Sequence, residues 1–337
     1  MTATGGTALT LADSHGRVAT DLRVSLTDKC NLRCTYCMPA DGLPWLPREE
    51  LLTDAEVIRL VAIAVELLGV RDVRFTGGEP LLRPGLNEII AATSALPAKP
   101  EISLTTNGIG IRERAADLRA AGLTRINISL DTLRADRFRQ LALRDRLPDV
   151  LDGLAAAKAA GLGPVKVNAV LMRGINDDEA PDLLRYCIDN DLQLRFIEQM
   201  PLDADHVWQR ANMITAEEIL TSLASEFSLT PLDEPRGSAP AERWLVDGGP
   251  ATVGVIASVT RPFCAACART RLTADGQVRN CLFATTETDL RGLLRSGADD
   301  LELARQWQAA MWGKAAGHGI GTPDYAEASR SMSAIGG

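Results

Sequence analysis

The 337-residue sequence contains no run of eighteen apolar residues, so no membrane-spanning helix is expected. Its first twenty residues are small, polar and Gly/Thr-rich. They lack the basic start and apolar stretch of a secretory signal and read as a flexible tail. Positive charge is in deficit, with 36 Lys and Arg against 44 Asp and Glu and a net charge of −8. That argues against nucleic-acid or acidic-membrane binding and leaves room only for a local basic pocket. No Gly-rich phosphate loop ending in Gly-Lys-Ser/Thr is present, so any polyphosphate would be held by side chains. The absence of an export signal fits a cytoplasmic protein whose cysteines stay reduced.

Six of the seven cysteines form two clusters, Cys30, Cys34 and Cys37, then Cys264, Cys267 and Cys281. Each cluster has three thiols, and a fourth is missing. A closed structural zinc site uses four ligands. Thiolates at short spacing favour zinc or iron–sulfur clusters. Two triads therefore suggest two cubanes, each with one iron open to another ligand. For the second triad, zinc completed by His318 or Asp275 is the competing reading. Cys187 falls in a helical apolar pattern and reads as core.

Short β-branched runs alternate with helical patterns. Strands are expected at Leu22–Thr27, Val73–Thr76, Glu101–Thr105, Arg125–Asp131, Val165–Val170 and Gln193–Glu198. Helices are expected at Thr53–Leu68, Leu86–Leu96, Ile111–Ala121, Pro148–Ala160 and Glu179–Asn190. Thr53 with Glu56 resembles a capping box, and Gly69, Gly122 and Gly161 mark helix ends. Six such units make an α/β fold, a partial (β/α)6 TIM-like barrel over 21–200. After Met200 the texture changes to a smaller α+β region, 201–337, carrying the second triad. Residues 1–20 are set apart as the tail.

Function in such barrels sits at the carboxyl ends of strands. The first triad follows the first strand. Thr76-Gly77-Gly78-Glu79-Pro80 follows the second, where glycines permit close backbone approach and Glu79 offers a carboxylate to an ammonium group. This combination resembles the radical S-adenosylmethionine (SAM) enzymes. The resemblance implies that Cys30, Cys34 and Cys37 hold a [4Fe-4S] cluster whose fourth iron chelates SAM. SAM is then cleaved to a 5′-deoxyadenosyl radical that abstracts hydrogen. It places Gly77, Gly78, Glu79, Tyr36, Ser129 and Met200 at the SAM site.

Arg269 and Arg271 alternate on a short extended segment and point to one side. Arg23, Arg74, Lys166 and Arg195 fall on expected strands. If they face inward, an acidic protein encloses a cationic cavity, costly without a polyanion. A triphosphate would meet that need.

The combined pattern is similar to the GTP 3′,8-cyclase family of molybdenum cofactor biosynthesis. By that resemblance Cys264, Cys267 and Cys281 hold a second [4Fe-4S] cluster that binds the guanine of GTP. Arg23, Arg74, Thr105, Lys166, Arg195, Arg269, Thr270 and Arg271 contact GTP. Arg23, Arg269, Arg271 and the terminal Gly336 and Gly337 serve catalysis. Hydrogen is taken from C3′, and C3′ then attacks C8. The product is (8S)-3′,8-cyclo-7,8-dihydroguanosine 5′-triphosphate. An external electron donor and a downstream cyclic pyranopterin monophosphate synthase are implied, and a homodimer on family grounds alone. Family members often carry a basic residue where this chain has Asp72. The competing functions are a radical SAM peptide-modifying enzyme and a non-catalytic zinc-stabilised nucleotide-binding protein.

Overall fold

The computed structural model describes residues 9–323 and 325–336. Gly337 lies outside them. The six expected units are present. Strands β1 (Asp21–Ser25), β2 (Asp72–Thr76), β3 (Glu101–Thr106), β4 (Arg125–Ser129), β5 (Val165–Val170) and β6 (Gln193–Ile197) pair in parallel, in sequence order. Helices α1 (Asp54–Ala62), α2 (Leu86–Ser94), α3 (Ile111–Ala120), α4 (Ala135–Ala142), α5 (Leu147–Ala159) and α6 (Ala180–Asp189) connect them. Thr53 and Glu56 form the capping box at the start of α1. Helix α4 is not among the expected elements. It has only eight residues and follows a polar turn, so its periodicity is short.

The second region does not stand apart. Its elements are α7 (Ala216–Ala224), β7 (Leu229–Pro231), β8 (Glu242–Val246), β9 (Thr252–Ile256), β10 (Arg269–Leu272), β11 (Gln277–Arg279), β12 (Thr288–Asp289), α8 (Arg291–Arg295), α9 (Asp300–Trp312) and α10 (Met332–Ile335). Strand β9 joins β6 in parallel, and β10 joins β1 in parallel. Antiparallel β7–β8 and β11–β12 extend the two edges, so the described residues form one twelve-stranded sheet. The regular helix-to-strand repeat stops near Glu198 because β9 joins β6 only after α7 and the antiparallel β7–β8, and β10 follows β9 with no α-helix between.

The outer sheet face and the helices share one continuous apolar core. The inner face is polar. On β1, buried Leu22 and Val24 alternate with Asp21, Arg23 and Ser25. Register then sets Arg271, Arg23 and Arg74 side by side across β10, β1 and β2. Like charges directly opposite each other destabilise a sheet, so this row has no structural benefit in itself. Gly254 of β9 lies opposite Arg195. A Cβ there would come within 3.2 Å of the Arg195 side chain, so glycine leaves that arginine its room.

Residues 9–20, expected as part of the tail, are packed rather than loose. Leu11 is fully buried in the main core, and Ala12 bridges Val18. The apolar Leu11 and Ala19 are too isolated among polar neighbours to give a periodic signal. A small second core gathers Leu202, Phe283, Ala328 and Ile335 around the carboxyl-terminal segment.

Candidate active site

The first triad lies in the loop after β1. Backbone turns close from Cys37 and Met38 onto the Cys34 carbonyl, 2.9 and 3.0 Å. Burial raises all three thiols, Cys37 to about 12. Cys34 is pushed up further by Asp131, Cys37 and Cys30. All three thiols are thus desolvated, a setting in which thiolates need a neighbouring cation. Ser333 of α10 works against that rise at Cys37.

The Gly-Gly-Glu-Pro motif is built against that loop. The Gly78 N–H donates to Thr27 O and the Glu79 N–H to Lys29 O, both 2.7 Å. A Cβ on Gly77 would meet Thr27 O at 2.5 Å, and one on Gly78 would meet Lys29 O at 2.3 Å. The close approach that requires glycine is therefore to the backbone leading into Cys30. Glu79, expected to offer its carboxylate to a ligand, is wholly buried. It accepts from Thr106 Oγ1 at 2.7 Å, Asn107 N at 2.7 Å and Leu81 N at 2.9 Å. Burial pushes it up to about 7 against those donors. Through these three donors its carboxylate braces the loop.

A cavity of about 260 Å³ opens inside the barrel at the strand ends. Tyr36, Ser129 and Met200 line it together with Cys264, Cys267 and Cys281. Arg23, Arg74, Thr105, Arg195, Arg269 and Arg271 line it as well. Arg23 Nε and Asn168 Oδ1 are buried with no hydrogen-bond partner, as expected of groups awaiting a ligand. Burial, together with neighbouring arginines, lowers Arg23 to about 9 and Arg271 well below its ordinary value. Arg195 is lowered to about 10, by burial and Arg243.

Lys166 lines an adjoining cavity of about 570 Å³ that shares Arg195 with the first. Burial lowers it to about 7, with Arg195, Arg125 and Arg74 adding to the shift. Thr270 departs from expectation. Strand alternation turns it to the outer face, where its fully buried hydroxyl accepts from Trp307 Nε1 at 2.9 Å. Gly336 sits at φ +81, its carbonyl accepting from Arg271 Nη1 at 2.5 Å. A Cβ there would meet Thr76 Cγ2 at 2.8 Å and Gly77 N at 3.3 Å.

Around the second triad, burial would raise Cys267, but Arg269 and Lys314 bring it down to about 7. It is thus readily a thiolate, the form that binds metal. The zinc reading loses both proposed fourth ligands. His318 uses Nε2 on Ser258 O and Nδ1 on the Ile320 N–H, each 3.0 Å. Asp275 is held by both guanidinium nitrogens of Arg330, 2.9 and 2.8 Å. Among the described residues no three Cys, His, Asp or Glu side chains converge as ligands of one ion. A cubane places its three thiolates on three different irons, so its ligands need not converge.

Asp131, which the sequence offered only as the end of the fourth strand and without a role, lines the cavity and accepts from Tyr36 Oη at 2.7 Å. Burial raises it to about 6. It sits two residues after Ser129, and that spacing was the available signal. Arg17 and Lys314, both beside the second triad, gave none.

Residues 24–187 match the family described as Radical SAM superfamily, and residues 192–320 match Molybdenum Cofactor Synthesis C. The chain is 67% identical over 328 residues to a GTP 3′,8-cyclase of Streptomyces coelicolor, covering 97% of this chain and 96% of that one. It is 62% identical to a GTP 3′,8-cyclase of Mycolicibacterium smegmatis, covering 97% and 92%. Among solved structures, Streptococcus suis SuiB superposes with TM-score 0.58 at 15% identity, covering 86% of this chain and 68% of SuiB. That likeness concerns the fold alone. With close relatives along nearly its whole length and both family regions in order, the chain belongs to the GTP 3′,8-cyclase family of radical SAM enzymes.

Proposed function

We propose that this protein is a GTP 3′,8-cyclase, a radical SAM lyase that forms (8S)-3′,8-cyclo-7,8-dihydroguanosine 5′-triphosphate in the first step of molybdenum cofactor biosynthesis. The observation that carries the reading is one cavity bordered by the SAM-side residues, the second thiol triad and a row of arginines, Arg271, Arg23 and Arg74, at whose centre, among the described residues, a single carboxylate, Asp21, stands 3.9 Å from Arg23 Nε. When bound, SAM and the cluster on Cys30, Cys34 and Cys37 supply a carbon-centred radical able to take hydrogen from an unactivated C–H bond.

The protein's own groups do the rest. Tyr36, fixed by Asp131, and Ser129 and Met200 form the wall against SAM. Arg23, Arg74, Arg269 and Arg271 take the triphosphate and the developing charge, and their desolvation makes each contact strong. Arg195 and Lys166 extend that binding into the adjoining cavity. Cys264, Cys267 and Cys281 would hold a second [4Fe-4S] cluster, which would supply a binding position for the guanine. Gly336 reaches in beside Arg271. Positioning of the ribose against the radical source is the main catalytic contribution, since orientation alone is worth roughly 7–11 kcal/mol in favourable cases. An external one-electron donor serves the clusters, and a cyclic pyranopterin monophosphate synthase takes the product.

Anaerobic turnover with SAM, a strong reductant and GTP deuterated at C3′ tests the reading. Deuterium in 5′-deoxyadenosine is expected. SAM cleavage without transfer sends the search to another substrate, and no cleavage by cluster-replete protein overturns the enzyme reading.

A further inference from the structure

The second thiol triad has a buried cation of its own. Lys314 follows α9 and is 3% exposed. Its ammonium donates to Arg269 O at 2.8 Å, to Cys267 Sγ at 3.3 Å and to Cys267 O at 3.4 Å. Three donors thus meet three acceptors. Among the described residues no carboxylate pairs with it, although buried lysines ordinarily need an anionic partner. The one acceptor here able to carry full negative charge is the Cys267 sulfur.

The segment carrying Lys314 is itself clamped. Arg17 donates from Nη1 to Cys264 O at 2.8 Å and to Ala316 O at 2.9 Å. Its Nη2 donates to Ala315 O at 2.6 Å. Asp13, buried beneath the Ala12–Val18 bridge, holds Arg17 Nε at 2.5 Å. One guanidinium therefore ties the amino-terminal arm, the Lys314 loop and the second triad together. At the first triad Arg33 Nη1 donates to Cys30 O at 2.7 Å, but among the described residues no lysine or arginine donates to a sulfur there; Cys30 Sγ accepts from Leu32 N at 3.5 Å and from Asn107 Nδ2 at 4.0 Å.

We infer that Lys314, held in place by Arg17, is a positioning residue for the second cluster, fixing Cys267 and stabilising the cluster's more reduced, more negative state. The inference rests on the two-cluster reading above. Hydrogen bonds and positive charge at a ligand sulfur raise a cluster's reduction potential. The amino-terminal arm is by this account part of the second cluster's shell.

The test uses the full-length holoprotein. Iron is counted first, and wild-type protein holding iron for one cluster only would overturn the two-cluster reading itself. With two clusters present, a redox titration followed by electron paramagnetic resonance compares Lys314→Met, Lys314→Arg and Arg17→Leu with wild type. Lys314→Met is expected to move the second cluster to a lower potential, or to lose iron from that site alone. The SAM-induced spectral change of the first cluster stays intact. Lys314→Arg is expected to recover most of the shift, and Arg17→Leu to give a smaller shift in the same direction. Two clusters with an unaltered potential in Lys314→Met overturn the inference. If Lys314→Met does not fold, an unaltered potential in Arg17→Leu overturns it.

Discussion

The two cysteine triads are alike in count but differ at one thiol, Cys267, since burial raises Cys264 as it raises the first triad. Around Cys30, Cys34 and Cys37 burial dominates, and the thiols are pushed upward. Around Cys267 two cations outweigh burial and bring the thiol down to about 7. The first triad is fastened by backbone, through the Gly77–Glu79 turn zipped to Thr27 and Lys29. The second is fastened by side chains, Lys314 and Arg17. The difference teaches that a cysteine spacing can specify a cluster without specifying its electrostatics, which come from distant segments. It also separates tasks: the deep, backbone-held triad suits SAM, and the cation-lined one suits an anionic nucleotide.

The largest expected effects come from removing each triad in turn. Cys30→Ala should abolish SAM cleavage, while iron at the second site remains. Cys281→Ala should keep SAM-dependent spectral changes at the first cluster but stop GTP conversion. Iron content and 5′-deoxyadenosine yield read both. Equal loss of both functions in both variants would erase the distinction drawn above.

Next in size is Arg269→Ala with Arg271→Ala. Loss of buried charge contacts costs roughly 2–5 kcal/mol, so GTP affinity should fall by about 30-fold or more. The ligand-free protein should melt no lower than wild type, because burial and its arginine neighbours already disfavour Arg271 as a cation. Calorimetric titration and thermal melts give the two halves. An arginine row of purely structural value would show the reverse pattern.

Lys166 gives a smaller, signed effect. Folding lowers it to about 7, so above that value and below its ordinary range the unfolded chain binds more protons. Stability of the ligand-free protein should therefore rise with pH across that window. A bound polyanion restores the charge, so GTP binding near pH ~8 should take up about one proton. Titrations in buffers of different ionisation enthalpy measure this, and Lys166→Met should abolish the uptake.

The smallest effect concerns Thr270. Thr270→Val leaves Trp307 Nε1 without its acceptor and should cost about 1–3 kcal/mol of stability. The KM for GTP should not move, because the side chain points away from the cavity. A raised KM would return Thr270 to the site.

Much of this was legible in the sequence because period-2 and period-3.6 patterns report local burial. The six units followed from alternation and the capping box from the Thr53–Glu56 spacing, while Arg23, Arg74 and Arg195 were expected on strands with their inward facing left as a condition. The role of Glu79 was not legible, since its three donors come from Leu81, Thr106 and Asn107 and depend on how β3 ends. The parallel pairing of β9 and β10 at opposite edges is a long-range event without a local signature. The ordered arm at Asp13 and Arg17 escaped notice for the same reason, its partners lying at 264 and 314–316.

The central claim is that one cavity presents SAM to the first triad and GTP to the second. The most direct measurement is nuclear hyperfine spectroscopy with ¹⁵N-guanine GTP on reduced Cys30→Ala and Cys281→Ala proteins. The account predicts guanine nitrogen coupling to the cluster retained in Cys30→Ala and absent in Cys281→Ala. Coupling that follows the first triad instead, or that appears in neither protein despite bound GTP, would contradict it.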